Sequence, residues 1–395
     1  MASMAETGPR RQSRWAPRVL AIGVALLLSA CGTVVPRATP PVAPPPPPRA
    51  EAPPPQTGLP DDRERHRIAL LVPLTGPNAA VGQSIANAAA LALVDTGGKD
   101  LRITNYDTAG GAVAAAQKAL ADGNRLFLGP LLAEDVRAVT TAADAAHVPV
   151  IAFSNDVATA GRNVWLLGFS PAQSIDRVVR YARSRGLTRF AGLVPQGVYG
   201  RGAANVMLRT AEDVGGRVVV MQSYDRSAKS IAAAVAAVSR QKYDAVLIAD
   251  AGRIAVTTVP MLRKAGGAGV RLLGTELWNA EPGLNASAAM AGGWFASVDD
   301  TVFDQLSQRY RARYGRTPYR LASLGYDAVL LTVRIARDWR VGTAFPVERL
   351  ADEGGFSGVD GAFRFGSDHV ADRALAVHQI GPGGGSVVSP APKGF

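Results

Sequence analysis

The chain has 395 residues, of which 43 are Lys or Arg, 32 are Asp or Glu, and 47% are apolar. A single cysteine excludes both an internal disulfide framework and a zinc site built on cysteines. Twelve of the 27 prolines fall within residues 34–60. The composition therefore differs sharply between segments of the chain.

Residues 1–30 predict a secretory signal peptide, because four arginines precede a short apolar run that ends in small residues. The run, residues 19–28, is about half as long as the ~20 residues that cross a bilayer. Leu28-Ser29-Ala30-Cys31 resembles a bacterial lipobox, which implies cleavage before Cys31 and lipidation of that residue. The alternative is an ordinary cleavage site followed by an unrelated cysteine. Removing the segment, with its four arginines and one glutamate, lowers the net charge from +11 to +8.

Residues 31–67 predict a lipidated cysteine followed by a proline-rich, disordered tether, with five consecutive prolines from Pro44 to Pro48. Proline fixes φ and donates no backbone hydrogen bond, so such a run is extended or disordered. We interpret it as a spacer, and a proline-rich ligand for another protein is the alternative. Beyond the signal the basic residues are scattered rather than clustered, which argues against a nucleic-acid partner.

From Ile68 onward, short apolar runs alternate with alanine-rich helical stretches, which predicts an α/β fold with parallel sheets covered by helices on both faces. The predicted strands form two series, 68–72, 101–105, 126–128 and 148–152, then 190–194, 218–222, 245–249 and 271–273. Two consecutive helices are expected over 299–316 and 319–339, followed by strands over 362–365 and 374–380.

Motifs of catalysis are missing from this sequence. The four histidines are far apart, and none has the spacing of a metal ligand. The loop after the first predicted strand has two glycines but carries Gln83 where a phosphate-binding loop requires lysine. The sequence therefore predicts no enzyme, no metal and no cofactor.

Several pieces, taken in order, resemble the type I periplasmic-binding-protein fold of the leucine/isoleucine/valine-binding family. They are residues 68–77 leading to Gly82-Gln83, then 129–131, 149–156, 199–202, 243–246, 323–328 and 358–365. The resemblance implies two lobes, each a parallel sheet with helices on both faces, and a cleft that closes on a ligand. The first lobe would comprise 68–170 plus 299–345, the second 171–298 plus 346–383, and 384–395 would be a flexible tail.

Seven candidate ligand-binding residues carry over from the family. They are Leu131, Ser154, Asn155 and Asp156 in the first lobe, and Tyr199, Ala251 and Glu276 in the second. The resemblance assigns them contacts to a ligand carboxylate and an acidic or aromatic clamp on the rest of the ligand. Amino-acid binders have a Ser/Thr-rich run where this chain has Ala133-Glu134-Asp135-Val136, and two carboxylates there disfavour a ligand carboxylate.

The motifs at 129–131 and 153–156 look closer to the branch called penicillin-binding-protein activators, lipoproteins that regulate peptidoglycan synthases by contact. We therefore expect a periplasmic protein, lipid-anchored at the inner leaflet of the outer membrane, that contacts such a synthase. Its cleft would take a small amino-acid-like ligand. The alternative is the substrate-binding component of a branched-chain amino-acid or amide ABC importer, whose partner is a membrane permease. A small-molecule sensor is a third reading.

Overall fold

The computed structural model describes residues 64–279, 281, 283–381 and 384–392. The predicted signal peptide, Cys31 and the proline-rich run lie outside these described residues. Within the described part, no helix combines the length and the apolar character that crossing a bilayer requires.

The strands follow the apolar runs of the sequence. They are β1 (His66–Val72), β2 (Leu101–Asp107), β3 (Leu126–Leu128), β4 (Val150–Ala152), β5 (Val164–Leu166), β6 (Arg189–Pro195), β7 (Arg217–Tyr224), β8 (Ala245–Ile248), β9 (Arg271–Gly274), β10 (Trp294–Ser297), β11 (Phe356–Gly358), β12 (Gly361–Phe365), β13 (Ala371–Arg373), β14 (Ala376–Gly381) and β15 (Gly384–Ser389).

Helices fill the intervals between these strands, and local signals set their ends. Helix α4, for example, has Pro171 in its first turn, and Ser170 Oγ accepts a hydrogen bond from the N–H of Ala172 at 3.2 Å. The α-helices are α1 (Ala79–Asp95), α2 (Ala112–Ala121), α3 (Ala133–Ala145), α4 (Pro171–Ser184), α5 (Val198–Asp213), α6 (Ala228–Val238), α7 (Gly252–Lys264), α8 (Gly283–Ala286), α9 (Thr301–Tyr314) and α10 (Ala322–Ala336).

Within the described residues the strands assemble into two large sheets and one small one. The first has the order β2-β1-β3-β4-β5, and all of its neighbouring strands are parallel. The second has the order β15-β14-β10-β9-β8-β6-β7, in which β14 and β15 pair antiparallel at one edge. Strands β11, β12 and β13 form a small antiparallel sheet.

The first sheet is covered on both faces, and α9 and α10 return to it from the far end of the chain. Leu306 of α9 and Val329 of α10 are buried in the same core as Ile68 and Leu70 of β1. The two helices predicted over 299–316 and 319–339 are therefore confirmed, and they pack on the first sheet as the resemblance implied.

One predicted lobe assignment is wrong. Residues 346–383 were assigned to the second lobe, yet Leu350, Phe356, Phe363 and Phe365 are buried in the core of the first sheet. Within residues 346–383, only β14 belongs to the second sheet. The alternating aromatic residues of β12 predict a strand correctly, but their spacing carries no information about which core they enter.

The flexible tail predicted over 384–395 is also wrong in part, because Gly384–Ser389 is a strand paired with β14. A Gly-rich sequence favours a loop, but backbone hydrogen bonds to a neighbouring strand do not depend on side chains. Four further strands, β5, β10, β11 and β13, were missed. Each has only three or four residues, which is too short for a periodic pattern.

The chain passes between the two large sheets three times. These crossings are residues 167–170 between β5 and α4, residues 298–300 between β10 and α9, and residues 374–375 between β13 and β14. The carboxyl ends of the parallel strands open toward loops that begin helices, and such ends are where open α/β sheets bind ligands.

Candidate functional site

A cavity of about 480 Å³ lies between the two large sheets. One wall comes from the loops of the first sheet, the other from the loops of the second, and the crossings form its base. The lining residues are Asn78, Val81, Leu131, Leu132, Phe153, Asn155, Phe169, Glu276, Leu277, Asn279, Ser297, Val298, Arg320, Leu321 and Leu375. Most of these side chains are apolar, so the cavity suits a ligand with a large hydrocarbon surface.

The wall from the first sheet is held by contacts at its strand ends. Asp107, at the end of β2, accepts hydrogen bonds from the N–H of Leu74 at 2.8 Å and from Thr75 Oγ1 at 2.6 Å. These bonds fix the loop between β1 and α1, so that Asn78 at its end and Val81 in the first turn of α1 line the cavity. Asp107 thus holds the loop, and it also accepts from the N–H of Ala109 at 3.0 Å.

Two of the four candidates in the first lobe, Leu131 and Asn155, line the cavity. Ser154 and Asp156 lie beside them but are engaged locally. The N–H of Asp156 donates to Ser154 Oγ at 3.1 Å, and the Asp156 carboxylate accepts from the N–H of Ala158 and pairs with Arg137. Their polar atoms therefore shape the loop after β4 and do not line the cavity.

In the second lobe, Glu276 lines the cavity, whereas Tyr199 and Ala251 do not. The Tyr199 hydroxyl lies behind the wall, 3.3 Å from Glu276 Oε1 and 3.2 Å from Thr275 Oγ1. The N–H of Ala251 donates to Asp250 Oδ1 at 2.8 Å. The Ala251 N–H is therefore already engaged at the start of α7.

The Glu276 carboxyl is oriented by hydroxyl groups and is only partly exposed to solvent. Ser174 Oγ donates to Glu276 Oε2, and the Tyr199 hydroxyl donates to Oε1. Burial raises the pKa of Glu276 above its usual value, although these hydrogen bonds oppose the shift. Burial and the nearby Glu276 raise the pKa of Tyr199 well above its own usual value. The carboxyl is therefore a poorly solvated acceptor that a cationic or hydrogen-bond-donating ligand group would satisfy.

Arg320 and Asn279 line the same cavity and were missed by the sequence analysis. Arg320 Nη1 donates to Asp360 Oδ1 at 2.5 Å, and Asn279 Nδ2 donates to Asp300 Oδ1 at 2.6 Å. Arg320 also lies 4.1 Å from the centre of the Phe303 ring. No local motif marks Arg320, which reaches the cavity only because the chain returns to the first sheet before α10.

The charges around the cavity do not favour an anionic ligand. Among the described residues that line the cavity, Arg320 is the one cationic side chain. Its guanidinium group already pairs with Asp360 and lies 3.4 Å from Asp300. Glu276 adds a further carboxyl group to the wall. Carboxyl groups thus outnumber guanidinium groups in the lining and directly behind it.

Comparison with known proteins gives the family. The sequence profile described as Periplasmic binding protein matches residues 66–385, so the chain belongs to this family. Among solved structures, leucine-binding protein LivK of Thermotoga maritima has a TM-score of 0.64 at 19% identity, over 83% of this chain and 99% of that one. The two-lobed α/β fold and the predicted family resemblance are confirmed.

A second solved structure is the C-domain of LpoA of Haemophilus influenzae, described as a regulator of PBP1A. Its TM-score is 0.65 at 18% identity, and the match covers 82% of this chain and 99% of that one. An uncharacterized protein of Rickettsia prowazekii, RP748, is 28% identical over 148 residues. That match spans 37% of this chain and 40% of the length of the relative.

Proposed function

We propose that this member of the periplasmic binding protein family is a ligand-binding protein and not an enzyme. Its cleft would take a small, mainly apolar molecule that carries an amino group, as amino acids and their amides do. The observation that supports this most is the interlobe cavity of about 480 Å³, with apolar walls and the partly exposed Glu276 carboxyl. Its volume lies in the range of ~300–1,000 Å³ that is usual for small-molecule sites.

The proposal assigns a separate role to each kind of lining residue. Leu131, Leu277 and Phe153 would contact the hydrocarbon part of the ligand, and Glu276 would accept from its amino group. A ligand carboxylate would find only Arg320, which already pairs with Asp360 and lies near Asp300. We therefore expect the amide of an amino acid to bind at least as tightly as the free acid.

A thermal-shift screen of branched-chain amino acids, their amides and muropeptide fragments tests the proposal. A ligand at 100 times its dissociation constant stabilises the folded state by about 2.7 kcal/mol, which raises the melting temperature measurably. Leu277→Arg, which places a long cation in the cavity, should abolish this shift. Leu208→Arg, at an exposed apolar site of α5 outside the cavity, should keep it. Equal shifts in both variants would place the ligand elsewhere.

A second candidate function is contact regulation of a peptidoglycan synthase from a lipid anchor at Cys31. Its support is the structural likeness to the LpoA C-domain together with the proline-rich segment at residues 34–60. An importer, supported equally by the likeness to LivK, would instead deliver the ligand to a permease.

Affinity purification from membranes distinguishes regulation of a synthase from import through a permease. Regulation predicts that a peptidoglycan synthase co-purifies with the wild-type chain, and that Cys31→Ser releases the chain from the membrane and lowers the recovery of the synthase. A permease and its ATPase in place of the synthase would contradict regulation and favour import.

A further inference from the structure

A cluster of buried charges lies directly behind the cavity. Asp327 of α10 and Asp360 of the turn between β11 and β12 are both fully buried. The N–H of Val359 donates to Asp327 Oδ1 at 2.6 Å, and Arg373 Nη1 lies 3.7 Å from Asp327 Oδ2. Arg320 Nη1 donates to Asp360 Oδ1. Buried charges are costly unless they are paired, so each member depends strongly on the others.

Two of the three crossings contribute groups to this cluster, and the third adjoins it. In the first crossing, the carbonyl of Leu167 accepts from Arg373 Nη2 at 2.9 Å, and the Phe169 ring centre lies 4.8 Å from the Arg373 guanidinium. In the second crossing, Asp300 Oδ1 lies 3.4 Å from Arg320 Nη2. Arg373 itself immediately precedes the third crossing. The charged groups therefore link the three crossings between the large sheets.

The cluster is also tied to the second lobe at two points. Asn279, which follows β9, donates to Asp300 at 2.6 Å. Gln173 of α4 accepts from the N–H of Arg373 at 3.1 Å and donates to the carbonyl of Ala371. A continuous path of polar contacts thus leads from one loop of the second lobe, through the interior of the first, to a helix of the second lobe.

Not every group in the cluster is satisfied. Within the described residues, Asp360 Oδ2 and the Nε and Nη1 atoms of Arg373 are buried without a hydrogen-bond partner. Burial, and the neighbouring Asp360 carboxylate, raise the pKa of Asp327 far above its usual value. Unsatisfied buried polar groups cost free energy, so an arrangement of the crossings that paired them would recover part of this cost.

We propose that these residues form a hinge clasp, in which Arg320 and Arg373 hold the three crossings in one arrangement and exchange carboxylate partners as the cleft opens and closes. The clasp rests on the proposed function because it would regulate access of the ligand to the cleft. Arg320 and Asn279 belong to both the cavity wall and the path, so a ligand that contacts either one shifts the balance of the clasp.

Distances between the lobes test the clasp without any ligand. The full chain carrying Cys31→Ser receives spin labels at Val157→Cys and Val198→Cys, two exposed positions that follow β4 and β6 respectively. Pulsed electron paramagnetic resonance then gives the distribution of distances between the two labels. It is measured for the parent and for three variants, Asp300→Asn, Gln173→Ala and Asp327→Asn. The matched control is Asp352→Asn, which removes the Arg334–Asp352 ion pair within the first lobe. The Asp352 side chain is about as exposed as that of Asp300.

We expect each of the three changes to alter the ratio of open to closed populations by at least about twofold, which is the lower range of measured couplings. Asp352→Asn should leave the distribution unchanged. Asp300 is partly exposed, so Asp300→Asn keeps the test valid even if Asp327→Asn does not fold. Identical distributions in all four variants and the parent would overturn the clasp. Since no ligand is present, this outcome is independent of whether the cleft binds amines.

Discussion

Glu276→Gln is expected to weaken the binding of leucinamide about 10- to 100-fold, with no loss of folding stability. A hydrogen bond between charged groups contributes about 1.5–3 kcal/mol, and glutamine keeps the shape of the side chain but not its charge. One of the Ser174 and Tyr199 hydroxyls can still donate to the amide oxygen, and the other can turn to accept from the amide N–H. Because burial raises the pKa of Glu276, a neutral side chain at this site should be tolerated by the fold.

Titration calorimetry at several pH values measures this effect. A bound amine needs the ionised carboxyl, so wild-type affinity should fall as the pH drops through the raised pKa of Glu276, while the Gln variant should show no such dependence. Glu281→Gln is the matched control, since this carboxyl lies five residues further along and does not line the cavity. Equal losses of affinity in both variants would mean that Glu276 does not contact the ligand.

Gly200→Ala is expected to destabilise the protein by at least about 1–3 kcal/mol, the usual cost of overpacking. Gly200 lies in the first turn of α5, and a Cβ there would stand 1.6 Å from the carbonyl oxygen of Pro195 at the end of β6. The atoms nearest to this Cβ all belong to the Pro195 backbone, so no flexible side chain can move aside. The helix would have to shift away from the strand.

Gly202→Ala provides the control within the same helix. A Cβ at Gly202 meets no atom within 4 Å, and the residue is exposed, so alanine should stabilise by about 0.4–1 kcal/mol through the unfolded state. Urea unfolding of the two variants measures the difference directly. Destabilisation of similar size in both variants would show that the contact with Pro195 is not what makes Gly200→Ala costly.

The first lobe repeats this arrangement. Gly82 lies in the first turns of α1, and a Cβ there would stand 1.8 Å from the carbonyl oxygen of Pro73, just after β1. Each lobe therefore packs a helix closely against a proline at the end of its leading strand or directly after it. In the first lobe, this close packing positions Val81 at the cavity wall.

The fold could be predicted in large part because its central strands are continuous apolar runs. Residues 68–72 of β1, for example, are fully buried on both faces, and no polar residue interrupts them. What escaped prediction depends on tertiary pairing. Strand β15 consists of Gly, Ser and Val and gains its place from the backbone of β14, and the aromatic residues of β12 are compatible with either core.

The candidate site was only partly predictable for a related reason. Glu276, Asn155 and Leu131 follow strands that short apolar runs locate, so a family resemblance could point to them. Arg320 reaches the cavity because the chain crosses back to the first sheet, and Arg320 and Asn279 are held there by Asp360 and Asp300, which are distant in sequence. A contact that forms only when three crossings come together leaves no local pattern.

The most direct test of the central claim is titration calorimetry of the full chain with leucinamide, leucine and benzoate. Leucinamide and benzoate are of similar size, but the first carries an amine and the second only a carboxylate. The cavity, with Glu276 in its wall and Arg320 already paired, predicts that leucinamide binds at least as tightly as leucine and that benzoate gives no heat of binding. Tight binding of benzoate, with none of leucinamide, would contradict it.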